Sequence, residues 1–437
     1  MTKLAIVEYA ARRKALLQQL PEGCVVVVES AQVHIRNGDV EHDYRQDSSF
    51  YYLSGMTEPD TTLVLTNGPD GQCHSLFCRT KDKLQEIWHG RRLGVDAAPQ
   101  ALLLDRAYAS ESLAEKLLEM LDGASQVVYS FRNTHTANLV QQSLSKLAGL
   151  TRQGKTCPTQ LLNLDSLVDA MRLLKSPAEV NQMAAACDIS VAAHIHAMQV
   201  CTVGMNEYQL AAQVHHQFSM QGSQRVAYGS IVAGGENACI LHYTNNDQPL
   251  KDGDLVLIDA GCELDHYAAD ITRTFPVNGR FSDPQKTIYE LVLRAHQAAL
   301  AAIVPGALVT DMQDAAVKVI TQGLIEIGLL SGELDQNIKD QTYRKFYMHN
   351  IGHWLGMDVH DVGLYKLHGQ SRALVAGMVT TVEPGIYIDP DDTDIPSQWR
   401  GIGVRIEDNI LITSSGYRNL TADLPVTVAD IETLMAG

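Results

Sequence analysis

The sequence predicts two domains: an α+β C-terminal domain preceded by a smaller α/β N-terminal domain. Three observations carry this. At 437 residues the chain is longer than one ordinary core serves. Helical and strand patterns alternate over roughly the first 170 residues, whereas beyond them helices and antiparallel strands fall into separate runs. Between these regions, Ser176 as N-cap, Pro177 at the first helical position and Glu179 three residues past the cap form a capping box. That signal places the domains at 1–174 and 175–437.

In order, residues 4–20 have a helical pattern and Cys24-Val25-Val26-Val27-Val28 reads as a buried strand. Thr61 to Cys78 reads as a hairpin around Asn67-Gly68-Pro69-Asp70-Gly71. Helices near 110–122 and 136–148 flank a strand at Gln126-Val127-Val128-Tyr129. In the second domain a long helix runs from the capping box towards Cys201, with others at 206–221, 283–303 and 311–328. Strands are expected at 228–233, 239–244, 254–262, 266–275, 378–388 and 402–413.

A formal net charge of −17 argues against nucleic acid or an anionic membrane surface as partner. The start, Met1-Thr2-Lys3-Leu4-Ala5-Ile6-Val7-Glu8, has no long apolar run, and no stretch approaches a membrane span. The eight cysteines are scattered singly with no CxxC pair, which argues against disulfides and thiolate zinc. The cytoplasm is the expected compartment.

Chemistry concentrates where acids interrupt apolar strands. Asp259 follows Leu255-Val256-Leu257-Ile258, and Asp270 precedes Ile271, with a turn-like Glu263-Leu264-Asp265 between them. The pattern is two antiparallel strands folding back on each other. A buried, ionised aspartate is costly unless paired or holding a metal. Three further groups stand in unusual settings: His353 in the Gly-punctuated His349-Asn350-Ile351-Gly352-His353, Glu383 before Pro384-Gly385, and Glu407 within Val404-Arg405-Ile406-Glu407-Asp408. Four carboxylates and an imidazole form a hard ligand set. Two carboxylates at ~4 Å repel by roughly 4 kcal/mol at an effective dielectric near 20. If these groups converge, a pair of divalent ions balances them.

Asp259, Asp270, His353, Glu383 and Glu407, in order and context, resemble the ligand motifs of the pita-bread dinuclear metallopeptidases, which include methionine aminopeptidase, prolidase and aminopeptidase P. Tyr44-Arg45-Gln46-Asp47-Ser48-Ser49-Phe50, Glu86-Ile87-Trp88-His89-Gly90-Arg91-Arg92, His242-Tyr243-Thr244 and Asp270-Ile271-Thr272-Arg273-Thr274-Phe275-Pro276 look most like the aminopeptidase P (Xaa-Pro aminopeptidase) branch. The resemblance spans essentially the whole chain and implies a pita-bread catalytic domain behind an N-terminal domain that shapes the pocket and supports oligomerisation. It implies two divalent metal ions per subunit, Mn²⁺ first, with Zn²⁺ or Co²⁺ fitting the same ligands. Asp259 would chelate one ion, Asp270 and Glu407 would bridge both, and His353 and Glu383 would complete the other shell. A hydroxide between the ions would attack the scissile carbonyl, with Glu383 as proton shuttle. His242, His349 and His360 would bind substrate and stabilise the tetrahedral intermediate, while Arg405 orients a ligand carboxylate and Tyr387 joins that network.

The implied partners are peptides with an Xaa-Pro N-terminus, and a homodimer or homotetramer is expected. Trp88 and Arg152 are weaker candidates for reaching a pocket across a subunit contact. His215 and His216 read as solvent-facing or partly packed, and His194, His196 and His296 as structural. Prolidase, which takes only Xaa-Pro dipeptides, is the nearest alternative. A non-enzymatic peptide-binding module is disfavoured, because all five ligand positions are filled.

Overall fold

The structure, a computed structural model, describes residues 4–69 and 71–437; Met1-Thr2-Lys3 and the turn residue Asp70 lie outside the described residues. The described chain divides into two compact units, residues 4–172 and Leu173–Gly437.

The N-terminal unit is built on a six-stranded mixed sheet. The apolar run Cys24–Glu29 is central, with antiparallel Thr62–Gly68 on one side and parallel Gln126–Tyr129 on the other. Gly71–Cys78 folds back on Thr62–Gly68 as the expected hairpin. All six residues of the central strand are buried, because helices cover the sheet: Leu117 and Leu121 from Leu113–Leu121 and Val140 and Leu147 from Thr134–Ala148 pack on Val25, Val27 and Val127.

In the C-terminal unit the long helix Pro177–Val200 starts on the Ser176 capping box, closed by contacts of 2.9 and 3.3 Å with Glu179. It packs beside Glu207–Met220, and Asp283–Ala301 packs beside Val309–Glu326. The strand pair Leu255–Asp259 and Thr272–Pro276 is antiparallel, with Asp259 opposite Thr272.

Four expected strands are broken, each at or next to a chemical residue. Segment 254–262 is Leu255–Asp259 and Cys262–Leu264; segment 266–275 is Tyr267–Ala268 and Thr272–Pro276, leaving Asp270 in the gap. Segment 378–388 divides at Glu383-Pro384, and 402–413 divides into Gly403–Arg405 and Asp408–Thr413, so Glu407 lies between strands rather than mid-strand. Backbone groups at the breaks go elsewhere: Glu383 donates its N–H to Ile351 (2.7 Å) and Glu407 to Thr272 (3.0 Å). The tight turn is also displaced. Glu263 and Leu264 are paired, and the turn is Asp265-His266, both left-handed at φ 49° and 69°.

One expected strand is absent. Segment 239–244 is the end of a 3₁₀ turn, Gly235–Cys239, followed by a loop. The reason is Glu207, fully buried, whose carboxylate accepts from the Gly234 and Gln248 N–H groups, Asn237 Nδ2 and the Tyr243 hydroxyl at 2.8–3.0 Å. That set of bonds replaces a ladder. Likewise 228–233 is strand only at Ile231–Gly234, with a short piece at Arg225–Val226 before it.

Candidate active site

The strand breaks aim the acids into one cavity of about 580 Å³, lined together by Asp259, Asp270, His353, Glu383 and Glu407. His242, His349, His360, Arg405 and Tyr228 line it too. Donor atoms of Asp270, His353 and Glu407 lie within 4.8 Å of one another. Asp259 joins them through Tyr228, whose hydroxyl stands 2.6 Å from Asp259 Oδ1 and 2.6 Å from Asp270 Oδ1. Glu383 joins through His353, with Oε1 at 3.5 Å from Nε2.

Most of these side chains are braced. Arg405 Nη2 donates to Asp259 Oδ2 at 2.7 Å, its Nε to Thr272 Oγ1 at 3.1 Å and its Nη1 to the Tyr387 hydroxyl at 3.0 Å. Thr272 Oγ1 donates to Glu407 Oε2 at 2.7 Å. His353 Nε2 lies 3.3 Å from Asp270 Oδ2, while its Nδ1 faces the Trp354 carbonyl at 3.0 Å, a contact that turns Nε2 towards the acids. Thr381 Oγ1 donates to Glu383 Oε1 at 3.2 Å. His349 is held on both sides, Nδ1 by the Asn350 carbonyl and Nε2 by Tyr387, each at 2.8 Å. The His360 ring meets that of His353 edge-on at 4.3 Å, and its neighbour Asp361 is anchored by Lys175 at 3.0 Å in a buried pair, each side chain 1% exposed.

Electrostatics follow from crowding. Burial lifts Glu383 to about 7, with Asp270 and Asp259 adding and His353 and Arg405 opposing. Burial and then the charges of Asp270, Glu383 and Asp259 raise Glu407 well above the carboxylate range. Burial likewise raises Asp259 against Arg405. Asp270 goes the other way: burial favours its neutral form, but His353, Tyr228 and Arg405 together hold it low. Burial alone lowers His353, yet Asp270 and Glu383 outweigh it and hold the imidazole at about 9. Burial, then Arg405, pushes His349 down to about 4.

These residues fit a divalent cation. Four carboxylates face one guanidinium, and of the four imidazoles in the lining His353 is the one held towards its charged form. Tyr228 has one proton and stands at bonding distance from two carboxylates, so one contact lacks a hydrogen whenever both are ionised. A cation held by Asp259, Asp270, His353, Glu383 and Glu407 relieves both problems, and oxygen with imidazole suits Mn²⁺, Co²⁺ or Zn²⁺.

Other expected residues fall elsewhere. Trp88 is on the N-terminal unit, 80% exposed on the helix Lys83–His89, and Arg152 is exposed on a 3₁₀ turn, Thr151–Gln153. His215 is exposed, with Nε2 2.9 Å from Ser230 Oγ, and His216 is exposed too. His194 is buried against the Ala260 carbonyl at 2.9 Å, and His296 is buried 3.3 Å from Asp408. Tyr228, Thr272, Thr381 and Asn409 were not singled out from sequence. Thr272, two residues past Asp270 in an extended segment, carried a local signal; the others carried none.

Comparison with known proteins gives the cavity a lineage. Residues 181–414 match the model described as Metallopeptidase family M24, and residues 9–129 match Aminopeptidase P, N-terminal domain. The chain is 44% identical to Xaa-Pro aminopeptidase of Escherichia coli (strain K12), covering 100% of this chain and 99% of that protein. Among solved structures, Pseudomonas aeruginosa aminopeptidase PepP superposes with a TM-score of 0.98 at 48% identity over 100% of this chain and 99% of that one. Zn-substituted E. coli aminopeptidase P in complex with product gives 0.97 at 42%, over 100% and 99%. All five acid and imidazole positions lie within the matched span, and the likeness continues through the N-terminal unit. This chain therefore belongs to metallopeptidase family M24, on the branch that carries the aminopeptidase P N-terminal domain.

Proposed function

We propose that the chain is a divalent-metal-dependent Xaa-Pro aminopeptidase that releases the first residue of peptides whose second residue is proline. The observation that carries this is the single cavity lined by Asp259, Asp270, His353, Glu383 and Glu407, in a chain akin end to end to Xaa-Pro aminopeptidases. Those five residues would hold two cations, Mn²⁺ by preference, and Asp270 and Glu407 would serve both. When bound, such ions polarise the scissile carbonyl and acidify the attacking water.

The remaining chemistry belongs to the chain. Glu383, lifted to about 7 by burial, exchanges a proton near neutrality at its carboxylate oxygens. It takes the proton of the attacking water and gives it to the leaving proline nitrogen, which carries no hydrogen in the peptide and departs as a secondary amine. His349, pushed to about 4, stays neutral, with both nitrogens committed to Asn350 and Tyr387. His349 thus positions Tyr387 and Arg405, and through Arg405 the Asp259 carboxylate. His242 and His360 line the cavity with no hydrogen-bond partner among the described residues, which suits them to receive a substrate carbonyl. A donor aimed at the developing oxyanion contributes roughly 3 kcal/mol.

We further assign the protein to the cytoplasm as a homo-oligomer acting on peptides. Among the described residues no helix is long and apolar enough to cross a membrane, and the eight cysteines are free. The helix Lys83–His89 exposes Leu84, Ile87 and Trp88 at 71–80%, a patch suited to a subunit contact.

Kinetics on Xaa-Pro against Xaa-Pro-Xaa-Xaa with excess Mn²⁺ test the substrate. The tetrapeptide is expected to be cleaved at the Xaa-Pro bond. Activity confined to the dipeptide would overturn this reading in favour of a prolidase.

A further inference from the structure

The ligand set comes in two parts, the hairpin with Asp259 and Asp270 and the later segments with His353, Glu383 and Glu407, and covalent order does not fix the spacing between them. Asp270 sits between Tyr267–Ala268 and Thr272–Pro276, where the strand ladder is interrupted. Asn409 takes up its peptide groups: the Asp270 N–H donates to Asn409 Oδ1 at 3.0 Å, and Asn409 Nδ2 donates back to the Asp270 carbonyl. One side-chain amide thus replaces the missing strand partner.

Asn409 is itself fully buried and fixed. Its N–H donates to Thr421 Oγ1 at 3.2 Å, its carbonyl accepts from Leu420 at 2.8 Å, and Cys187 Sγ donates to Oδ1 at 3.2 Å. In register it lies opposite Thr381. Thr381 Oγ1 in turn accepts the His353 N–H at 3.1 Å and donates to Glu383 Oε1 at 3.2 Å. Directly opposed residues of antiparallel strands share a face, so these two polar side chains serve the same side of the sheet.

We infer that the Thr381–Asn409 rung is a positioning device for cation binding: Asn409 sets Asp270 against Glu407, two residues before it in the chain, while Thr381 sets His353 and Glu383. Both act through the ligands. The inference rests on the proposed reading that those four residues hold cations.

The test is Mn²⁺ affinity, measured on the full-length, metal-free protein by competition with a chelator, alongside circular dichroism and the metal-free Tm. Asn409→Leu removes donor and acceptor together, and a tenfold or greater loss of affinity is expected, as for other partners that orient metal ligands by about 10–100-fold. The comparator is Leu291→Ala, in the buried contact of Asp283–Ala301 with Gly323 and not among the residues that line the cavity. It lowers the Tm by opening a core cavity and is expected to leave affinity within about twofold. Should Asn409→Leu not fold, Thr381→Val and Asn409→Asp, which keeps only the acceptor, decide, each with about a threefold loss or more expected. Folded variants binding within about twofold of the parent, or a loss matched by Leu291→Ala at equal Tm, overturn the inference. A parent protein that binds no Mn²⁺ overturns the cation reading itself, which separates the two failures.

Discussion

Glu383 stands where two demands meet. In the proposed reading it must ionise to serve a cation, and it must carry a proton to serve a leaving group. Burial beside Asp270 and Asp259 answers the second by lifting it to about 7. Glu383→Gln keeps the shape and one oxygen but abolishes proton exchange. Turnover of an Xaa-Pro-Xaa-Xaa peptide at saturating Mn²⁺ is expected to fall by about 10³-fold or more, with the circular dichroism spectrum unchanged. Near-parent turnover with metal bound would remove the shuttle role. At this scale the acids were legible because a carboxylate in an apolar strand is a physical anomaly. Tyr228, Thr381 and Asn409 were not, since tyrosine, threonine and asparagine are ordinary there. Their meaning lies in partners up to 222 residues away.

At the scale of elements, most helices and strands follow from local patterns: the capping box at Ser176, the run Cys24–Glu29 and the strand Gln126–Tyr129 stand where periodicity and caps put them. The breaks were not visible, because a run such as Gly403 to Thr413 is extended throughout and only its hydrogen-bond partners change. The close approaches at the breaks depend on glycine. A Cβ on Gly261 would collide with the Ala269 carbonyl, and one on Gly352 with the Thr381 carbonyl. Gly352 lets the His349–His353 loop lie directly on the strand that ends before Glu383. Gly352→Ala should displace His353 from Asp270 and Glu383, and a misplacement on the order of 1 Å lowers kcat by about 10²-fold. The same kinetic measurement checks it; an unchanged kcat would mean that the loop shifts as a unit without disturbing the cavity.

For the whole molecule, the cavity makes stability a matter of pH and metal together. Glu383 holds its proton to about 7 in the folded chain, against roughly 4.3 for an unfolded glutamate. Between these values the folded state binds more protons, so stability falls as pH rises through that window. His353, held at about 9 against roughly 6.5 unfolded, contributes stability that is full below 6.5 and lost as pH rises through 9. His349 acts oppositely, and its contribution is lost only as pH falls from roughly 6.5 to about 4. The metal-free protein should therefore show a falling Tm from about pH 6.5 to 8.5. Because cations bind the deprotonated ligands, the Tm gain from excess Mn²⁺ should grow over that interval. Differential scanning calorimetry of both forms checks it, and a gain that is flat or shrinks with pH would contradict the proposed ligand set.

By itself the sequence determined most element types, the capping box at Ser176, the acids that must find partners and the family those acids resemble, because burial pattern, helix caps and unpaired charge are local or compositional properties. Tertiary structure alone decided that Asp259 and Asp270 meet His353, Glu383 and Glu407, that Tyr228 spans the two aspartates, and that Asn409 stands in for a missing strand. Convergence of groups tens to more than a hundred residues apart is a property of packing and register, and no local pattern encodes it.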